Sequence, residues 1–351
     1  MDYQAIYTQT LFGLDYPTLW FLVIGGVFTG YAILDGFDLG AGALHLFIRN
    51  QDHRRIALNA VGPVWDGNEV WLVIGGGALF AGFPNVYASL FSGLYIPFML
   101  FLAMLIFRAV SIEFRSKEKM LWWRKMWDTT YAISSATLAL ALGAVMGNVL
   151  QGIPLNAAGD YVGTGWDFIN PYALIVGATT LALFMMHGAL YLALKTEGDL
   201  NEFVGLWVKR AIIAFILFFL MTSGYTLLFM DHLVVRLKAY PIFLLLPLIA
   251  LLSIANIPRL TVKGNYTMAF VFSSITVSLL FVLSAVGLYP ELLRSTVDSA
   301  YSLDVYNSAA SEKTLGIMLL MASVGAPLVG LYTFIVYRSF RGTVKLDEHS
   351  Y

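Results

Sequence analysis

The chain of 351 residues has no cysteine. Disulfides, thiolate haem ligands, iron–sulfur clusters and zinc–thiolate sites are thereby excluded. Charge is also scarce. Asp, Glu, Lys and Arg make up 12% of the residues and the net charge is −1, whereas soluble domains carry about 25% charged residues. No bulk field draws in nucleic acid or a strongly charged partner. Five histidines are present. His53, His232 and His349 fall in loops or the tail, and His45 sits at the end of the first apolar run. Only His187, in Phe184-Met185-Met186-His187-Gly188, lies inside such a run. A bis-histidine haem needs two buried imidazoles at one depth, and a His/Met haem needs one of each. A lone His187 therefore reads as a hydrogen-bonded packing residue, with haem ligation as the alternative. The chain has no Walker motif, dinucleotide fingerprint or paired metal-ligand spacing. The first dozen residues hold no Lys or Arg, so no basic n-region of a signal peptide is read there.

What the sequence has in abundance is apolar length. Hydrophobic residues make up 59% and the mean hydropathy is +0.74. A water-soluble fold cannot hide that much apolar surface, so the expected class is an all-α integral membrane protein. A soluble enzyme, a disordered chain and a nucleic-acid binder are excluded. Nine runs approach spanning length: 20–44, 62–83, 86–107, 129–150, 171–194, 206–230, 242–257, 268–288 and 315–337. The seventh is short and contains Pro247; omitting it leaves eight spans and moves the C-terminus across the membrane. With the N-terminus outside and nine crossings, every Lys and Arg except Arg236, Lys238, Arg294 and Lys313 lies on the inner side. That matches the cytoplasmic enrichment of basic residues and favours nine spans. Loops are short, so residues 1–351 read as one polytopic membrane domain with a cytoplasmic C-terminus. Trp20, Trp166, Tyr289 and Tyr301 map to the outer boundary and Trp122, Trp123 and Trp127 to the inner one. These are aromatic-belt positions, with ordinary packing as the alternative for any one of them.

Ionisable residues inside spans concentrate in the first two. Asp35 and Asp38 in the first, and Asp66 and Glu69 in the second, are spaced i, i+3, so each pair shares a helix face. Helical rise places all four carboxyls in the cytoplasmic part of the bilayer, and an antiparallel hairpin would bring them together. Carboxylates in lipid are costly and mark pathways or partner contacts by default. A carboxyl in a low-dielectric site can exchange protons near neutral pH. The four acids thus read as a proton route from the cytoplasm, or structurally, as helix caps and as partners of Arg54, Arg55 or Arg108. Glu69 can also face Asn68 or a helix neighbour. The first two spans are glycine-rich as well (Gly26, Gly30, Gly36, Gly40 and Gly75 to Gly77), which predicts close helix packing.

Two long motifs carry a specific resemblance. Gly30-Tyr31-Ala32-Ile33-Leu34-Asp35-Gly36-Phe37-Asp38-Leu39-Gly40-Ala41-Gly42 and Gly62-Pro63-Val64-Trp65-Asp66-Gly67-Asn68-Glu69-Val70-Trp71-Leu72 resemble the first- and second-helix signatures of subunit II of the cytochrome bd quinol oxidases. Trp123-Arg124-Lys125-Met126-Trp127-Asp128 and Gly147-Asn148-Val149-Leu150-Gln151-Gly152 agree, and the likeness extends over essentially the whole chain. It implies two four-helix bundles plus one peripheral helix, in a bacterial cytoplasmic (inner) membrane. It implies a partner, subunit I, holding two haems b and one haem d, with quinol and oxygen as substrates of the complex in aerobic respiration. Subunit II would bind no haem through its own ligands and would support assembly; some members hold a structural quinone, and small accessory subunits occur. Trp65 and Asp66 would face subunit I, with Asn68 also at the interface, and Asp66 would start or line a proton path. The stretch between spans six and seven, Asp231 to Tyr240, is shorter than is usual in the family.

The competing reading is an ion- or solute-coupled transporter that uses the buried carboxyls. Transporters usually carry broken helices in both halves of the chain, and here the second half has no ionisable counterpart to the four acids, although Gly75 to Gly77 offer a place to break the second span and keep this alternative open.

Overall fold

The computed structural model describes residues 7–346; His349 lies outside them. Twelve α-helices are present among the described residues: α1 (Tyr16–Leu44), α2 (Gln51–Val61), α3 (Trp65–Gly82), α4 (Pro84–Gly93), α5 (Tyr95–Phe114), α6 (Leu121–Gln151), α7 (Pro171–Lys195), α8 (Gly198–Phe229), α9 (Asp231–Ala239), α10 (Leu245–Val262), α11 (Tyr266–Leu288) and α12 (Glu312–Ser339). Two small hairpins, β1 (Thr10–Leu11) with β2 (Leu14–Asp15) and β3 (Glu291–Leu293) with β4 (Leu303–Asp304), occupy loops. Helices dominate because a bilayer offers no hydrogen bonds to an open backbone. Their first turns are closed by local side chains: Asp15 accepts from Thr18 N, Asn170 from Ala173 N, Asn265 from Met268 N and Ser311 from Thr314 N.

Eight helical segments are long and apolar enough to cross a membrane, and the bent pair α3–α4 makes a ninth candidate. The two helices of that pair meet at 119°. The break falls at Phe83–Pro84, where proline supplies no backbone donor. At 18 residues, α3 is about 27 Å long and covers most of the hydrocarbon thickness on its own. Its two ends sit at opposite ends of α1. Asn68 at its start donates to Asp38 and to the Leu34 carbonyl, whereas Gly82 at its finish accepts from Ala310 N. The residues Pro241–Val262, which cover the short seventh run, form a continuous apolar unit of 22 residues. Counting the bent pair as one, the candidate spans number nine. One end of the molecule carries most of the arginines and lysines, and the other carries the long loops.

α7 is the most enclosed candidate span, and α12 lies outside the rest. The first group of helices is α1, α3, α5 and α6; the second is α7, α8, α10 and α11, joined through the contacts of α7 with α1 and α6. α12 touches α1 and α3 from outside and is the peripheral helix. α1 and α7 pack backbone to backbone. A Cβ on Gly40 would sit 1.7 Å from the Phe184 carbonyl oxygen, and one on Gly188 would sit 2.3 Å from Ala41 N. Not every glycine serves packing: Gly26, Gly76 and Gly77 face open space, contrary to the expectation that both early spans are buried on their glycine faces.

At the loop-rich end two connecting segments are laced together. Ile153 N donates to the Arg294 carbonyl, and Thr296 N donates to the Ile153 carbonyl. Trp20, expected in an aromatic belt, is buried there and donates through Nε1 to the Leu315 carbonyl at 3.0 Å. The segment between spans six and seven forms the short helix α9.

Candidate functional site

Residues 31, 35, 38, 42 and 45 follow one another at helical spacing and form a stripe along α1. They are Tyr31, Asp35, Asp38, Gly42 and His45, all buried. The stripe faces α3, α5 and α6, and around it the molecule gathers its intramembrane charge.

Asp35 is fully buried and paired with Arg108 of α5 through both its oxygens. Arg108 Nη1 donates to Oδ2 at 3.0 Å and Nη2 donates to Oδ1 at 2.5 Å. This fork geometry is the strongest form of carboxylate recognition. Glu69 of α3 reaches the same guanidinium, with Oε2 3.6 Å from Arg108 Nη1. Asp38 is fully buried and accepts from Asn68 Nδ2 at 2.7 Å. Asn68 Oδ1 in turn accepts from the Tyr337 hydroxyl of α12 at 3.0 Å. A polar chain thus runs from the peripheral helix through α3 to α1. Four buried polar atoms around this cluster have no hydrogen-bond partner among the described residues: Tyr31 Oη, Asp38 Oδ1, Glu69 Oε2 and Arg108 Nε.

Asp66 stands apart, exposed in the first turn of α3. It heads a row at i, i+4, i+7, i+11 and i+14: Asp66, Val70, Val73, Gly77 and Phe80, every one exposed. Trp65 and Asn68 do not join that row. They are 9% and 3% exposed, and Trp65 packs on Leu58, Ile112 and Tyr131. Trp65 and Asn68 are thus engaged within the chain, and of the three residues expected at the interface Asp66 is the one left open. Adjacent helical residues are 100° apart, which turns Trp65 inward while Asp66 stays exposed. Asp35 has the ion partner Arg108 that the structural reading offered it.

A second buried hub was missed. Asp128 of α6 accepts from His45 Nε2 at 2.7 Å, Arg115 Nε at 2.5 Å and Arg54 Nη1 at 2.9 Å. It ties the end of α1 to α2, α5 and α6. The available signal was an acid immediately before an apolar run, set among arginines that flank neighbouring runs.

His187 is fully buried on α7 and stacks on Phe270 at 4.3 Å. Its Nε2 lies 3.1 Å from the Ile33 carbonyl and must donate; its Nδ1 accepts from the Ser273 hydroxyl at 2.8 Å. Both ring nitrogens are engaged, which leaves neither for iron. No group of three or more His, Asp or Glu side chains is placed to hold a metal among the described residues. His187→Leu is expected to leave the haem spectrum of an assembled complex unchanged while lowering stability by about 1–3 kcal/mol. Loss of a haem band at normal assembly would contradict this.

Comparison with known proteins identifies the family. The family model described as cytochrome bd terminal oxidase subunit II matches residues 16–340. The chain is 32% identical to cytochrome bd-I ubiquinol oxidase subunit 2 of Escherichia coli K12, over 95% of this chain and 97% of that one. It is 31% identical to cytochrome bd ubiquinol oxidase subunit 2 of Bacillus subtilis, over 91% and 95%. The bd oxidase structure from Geobacillus thermodenitrificans shares the fold, with a TM-score of 0.78 at 18% identity, covering 93% of this chain and 98% of the matched one. Nine candidate spans, a charge cluster between the signature helices and a match over nearly the whole length place the chain in the cytochrome bd terminal oxidase subunit II family.

Proposed function

We propose that this chain is the non-haem subunit of a quinol-oxidising, oxygen-reducing complex in the bacterial cytoplasmic membrane. In this reading it supports assembly of a haem-bearing subunit I and delivers cytoplasmic protons toward it. The subunit I partner is argued from the subunit 2 relatives. Haems b and d, quinol and oxygen belong to that partner, and electrons do not cross this chain. The chemistry of quinol oxidation and oxygen reduction stays with the haems. This chain's residues bind the partner, hold buried charge and move protons.

The observation that carries the reading is the exposed row Asp66, Val70, Val73, Gly77 and Phe80 on α3. An acid leading an apolar row into the bilayer would be costly against lipid tails. A second subunit covering the row removes that cost and gives Asp66 a destination. Glu69, one turn further along the helix from Asp66, approaches the Arg108–Asp35 pair. Ordered water among Tyr31, Asp38, Glu69 and Arg108 would satisfy their unpartnered atoms, because buried polar groups find protein or water partners. On this view Asp66 and Glu69 carry protons, Asp35 and Arg108 fix the field around them, and Asp38 with Asn68 couples the cluster to α12. The basic end is the cytoplasmic side. Among the described residues the candidate spans contain one sharply bent pair, in the first half of the chain, so a transporter with a broken helix in each half gains no support.

The cysteine-free background makes the test clean. Val73→Cys is expected to react with a membrane-permeant maleimide when the chain is expressed alone, and to be protected when it is co-purified with a haem-bearing partner. Equal labelling in both states, or a colourless lone chain that moves solute in vesicles, would overturn the reading.

A further inference from the structure

We propose that a groove at the basic end, between the end of α1 and the start of α8, binds the phosphate of an anionic phospholipid. The groove is a cavity of about 410 Å³ lined by Leu46, Phe47, Arg49, Phe203, Trp207 and Arg210. Phe47 stacks on Trp207 at 4.2 Å, and the Arg210 guanidinium lies over the Trp207 ring at 5.0 Å. Arg49 and Arg210 are exposed, and neither forms an ion pair with a carboxylate among the described residues. Two guanidiniums at one cavity, with no acid to neutralise them, suit a phosphate with its planar forks of donors.

The surroundings select a lipid over a free anion. Arg210 shares its helix side with Leu206, Ile213, Leu217 and Leu220, at i−4, i+3, i+7 and i+10, and all four are exposed. That apolar strip begins at the groove and runs toward the loop-rich end, so a headgroup held by the arginines lays its acyl chains along it. Trp207 sits where amphipathic rings favour the headgroup level. The groove is also distinct from the acid-led row of α3, since α8 packs on α7 and α10.

The test uses the assembled complex, stripped of lipid and titrated with phosphatidylglycerol or phosphatidylcholine, with retention read by native mass spectrometry. One phosphatidylglycerol is expected to be held in preference to phosphatidylcholine. The double variant Arg49→Gln/Arg210→Gln is expected to weaken that retention about tenfold, because each basic residue near a headgroup contributes measurably. Arg210→Lys, which keeps the charge, retains most of it, and millimolar inorganic phosphate does not displace the lipid. The proposal fails if the double variant, with wild-type mass and thermal midpoint in phosphatidylcholine, holds phosphatidylglycerol as tightly as before. It also fails if inorganic phosphate competes on equal terms, which would make the groove a site for a soluble anion, or if a co-purified polypeptide covers it in place of lipid. Failure here leaves the Val73→Cys protection result untouched, so the two readings are separable.

Discussion

Arg108→Leu is expected to lower the stability of the folded chain by about 3–5 kcal/mol, the cost of leaving one member of a buried ion pair uncompensated. The stranded group is Asp35, which is fully buried and takes both of its hydrogen bonds from this guanidinium. Glu69 would lose its cationic neighbour too. The double variant Asp35→Leu/Arg108→Leu is expected to recover most of that loss. Replacing a buried pair by apolar residues is often neutral, whereas breaking it is not. The comparison is made by thermal unfolding of the purified complex and by the yield of assembled protein. Equal damage from the single and double variants would show that the pair is needed for more than mutual neutralisation.

Gly40→Ala is expected to be nearly as damaging, although it adds one methyl group. That carbon would stand 1.7 Å from the Phe184 carbonyl oxygen, an atom of the α7 backbone that no side-chain rotation can move. The two helices must separate, and with them the contacts along α1 and α7. Overpacking in a well-filled interior costs about 1–3 kcal/mol and sometimes more, and a backbone obstacle places this site at the upper end. Gly77→Ala, with nothing within 4 Å of the added carbon, is expected to leave the isolated chain's melting temperature unchanged. A Gly40→Ala protein with wild-type yield and midpoint would contradict the close approach of α1 and α7. Gly36→Ala meets first the Phe184 ring, at 2.8 Å, a side chain rather than backbone, and should fall between the two.

These residues also show how far sequence reasoning reaches. Asp35 and Asp38 are legible as one face because i, i+3 spacing turns the helix by only 60°. The same rule places Asp66 and Glu69 together, yet one is exposed and the other half-buried. A 60° arc is enough to straddle the edge between interior and surface, and periodicity does not reveal where that edge falls. Arg108 was legible only as one of three possible partners, since its distance in sequence from Asp35 says nothing about depth. Asp128 escaped because it precedes its apolar run and looks like a solvated residue, whereas two guanidiniums and the His45 imidazole, from three other segments, enclose it. The number of crossings was legible from apolar length and basic loops. The sharp bend after α3 was not, since Pro84 reads equally well as the start of the next span.

Two kinds of carboxyl emerge from this geometry. Asp35 and Asp128 are locked by guanidiniums and hold helices together. Among the described residues Asp66 has no such lock, and it opens onto the one row of α3 that they leave uncovered. A group that transfers protons must be free to gain and lose them, and positioned acids contribute about 100-fold or more where proton transfer limits a reaction. The most direct measurement is quinol-driven oxygen consumption by the assembled complex carrying Asp66→Asn, at haem content matched to the wild type. A fall of about tenfold or more, with activity retained in Asp66→Glu, is the expected result. Wild-type turnover in Asp66→Asn would contradict proton delivery through this chain.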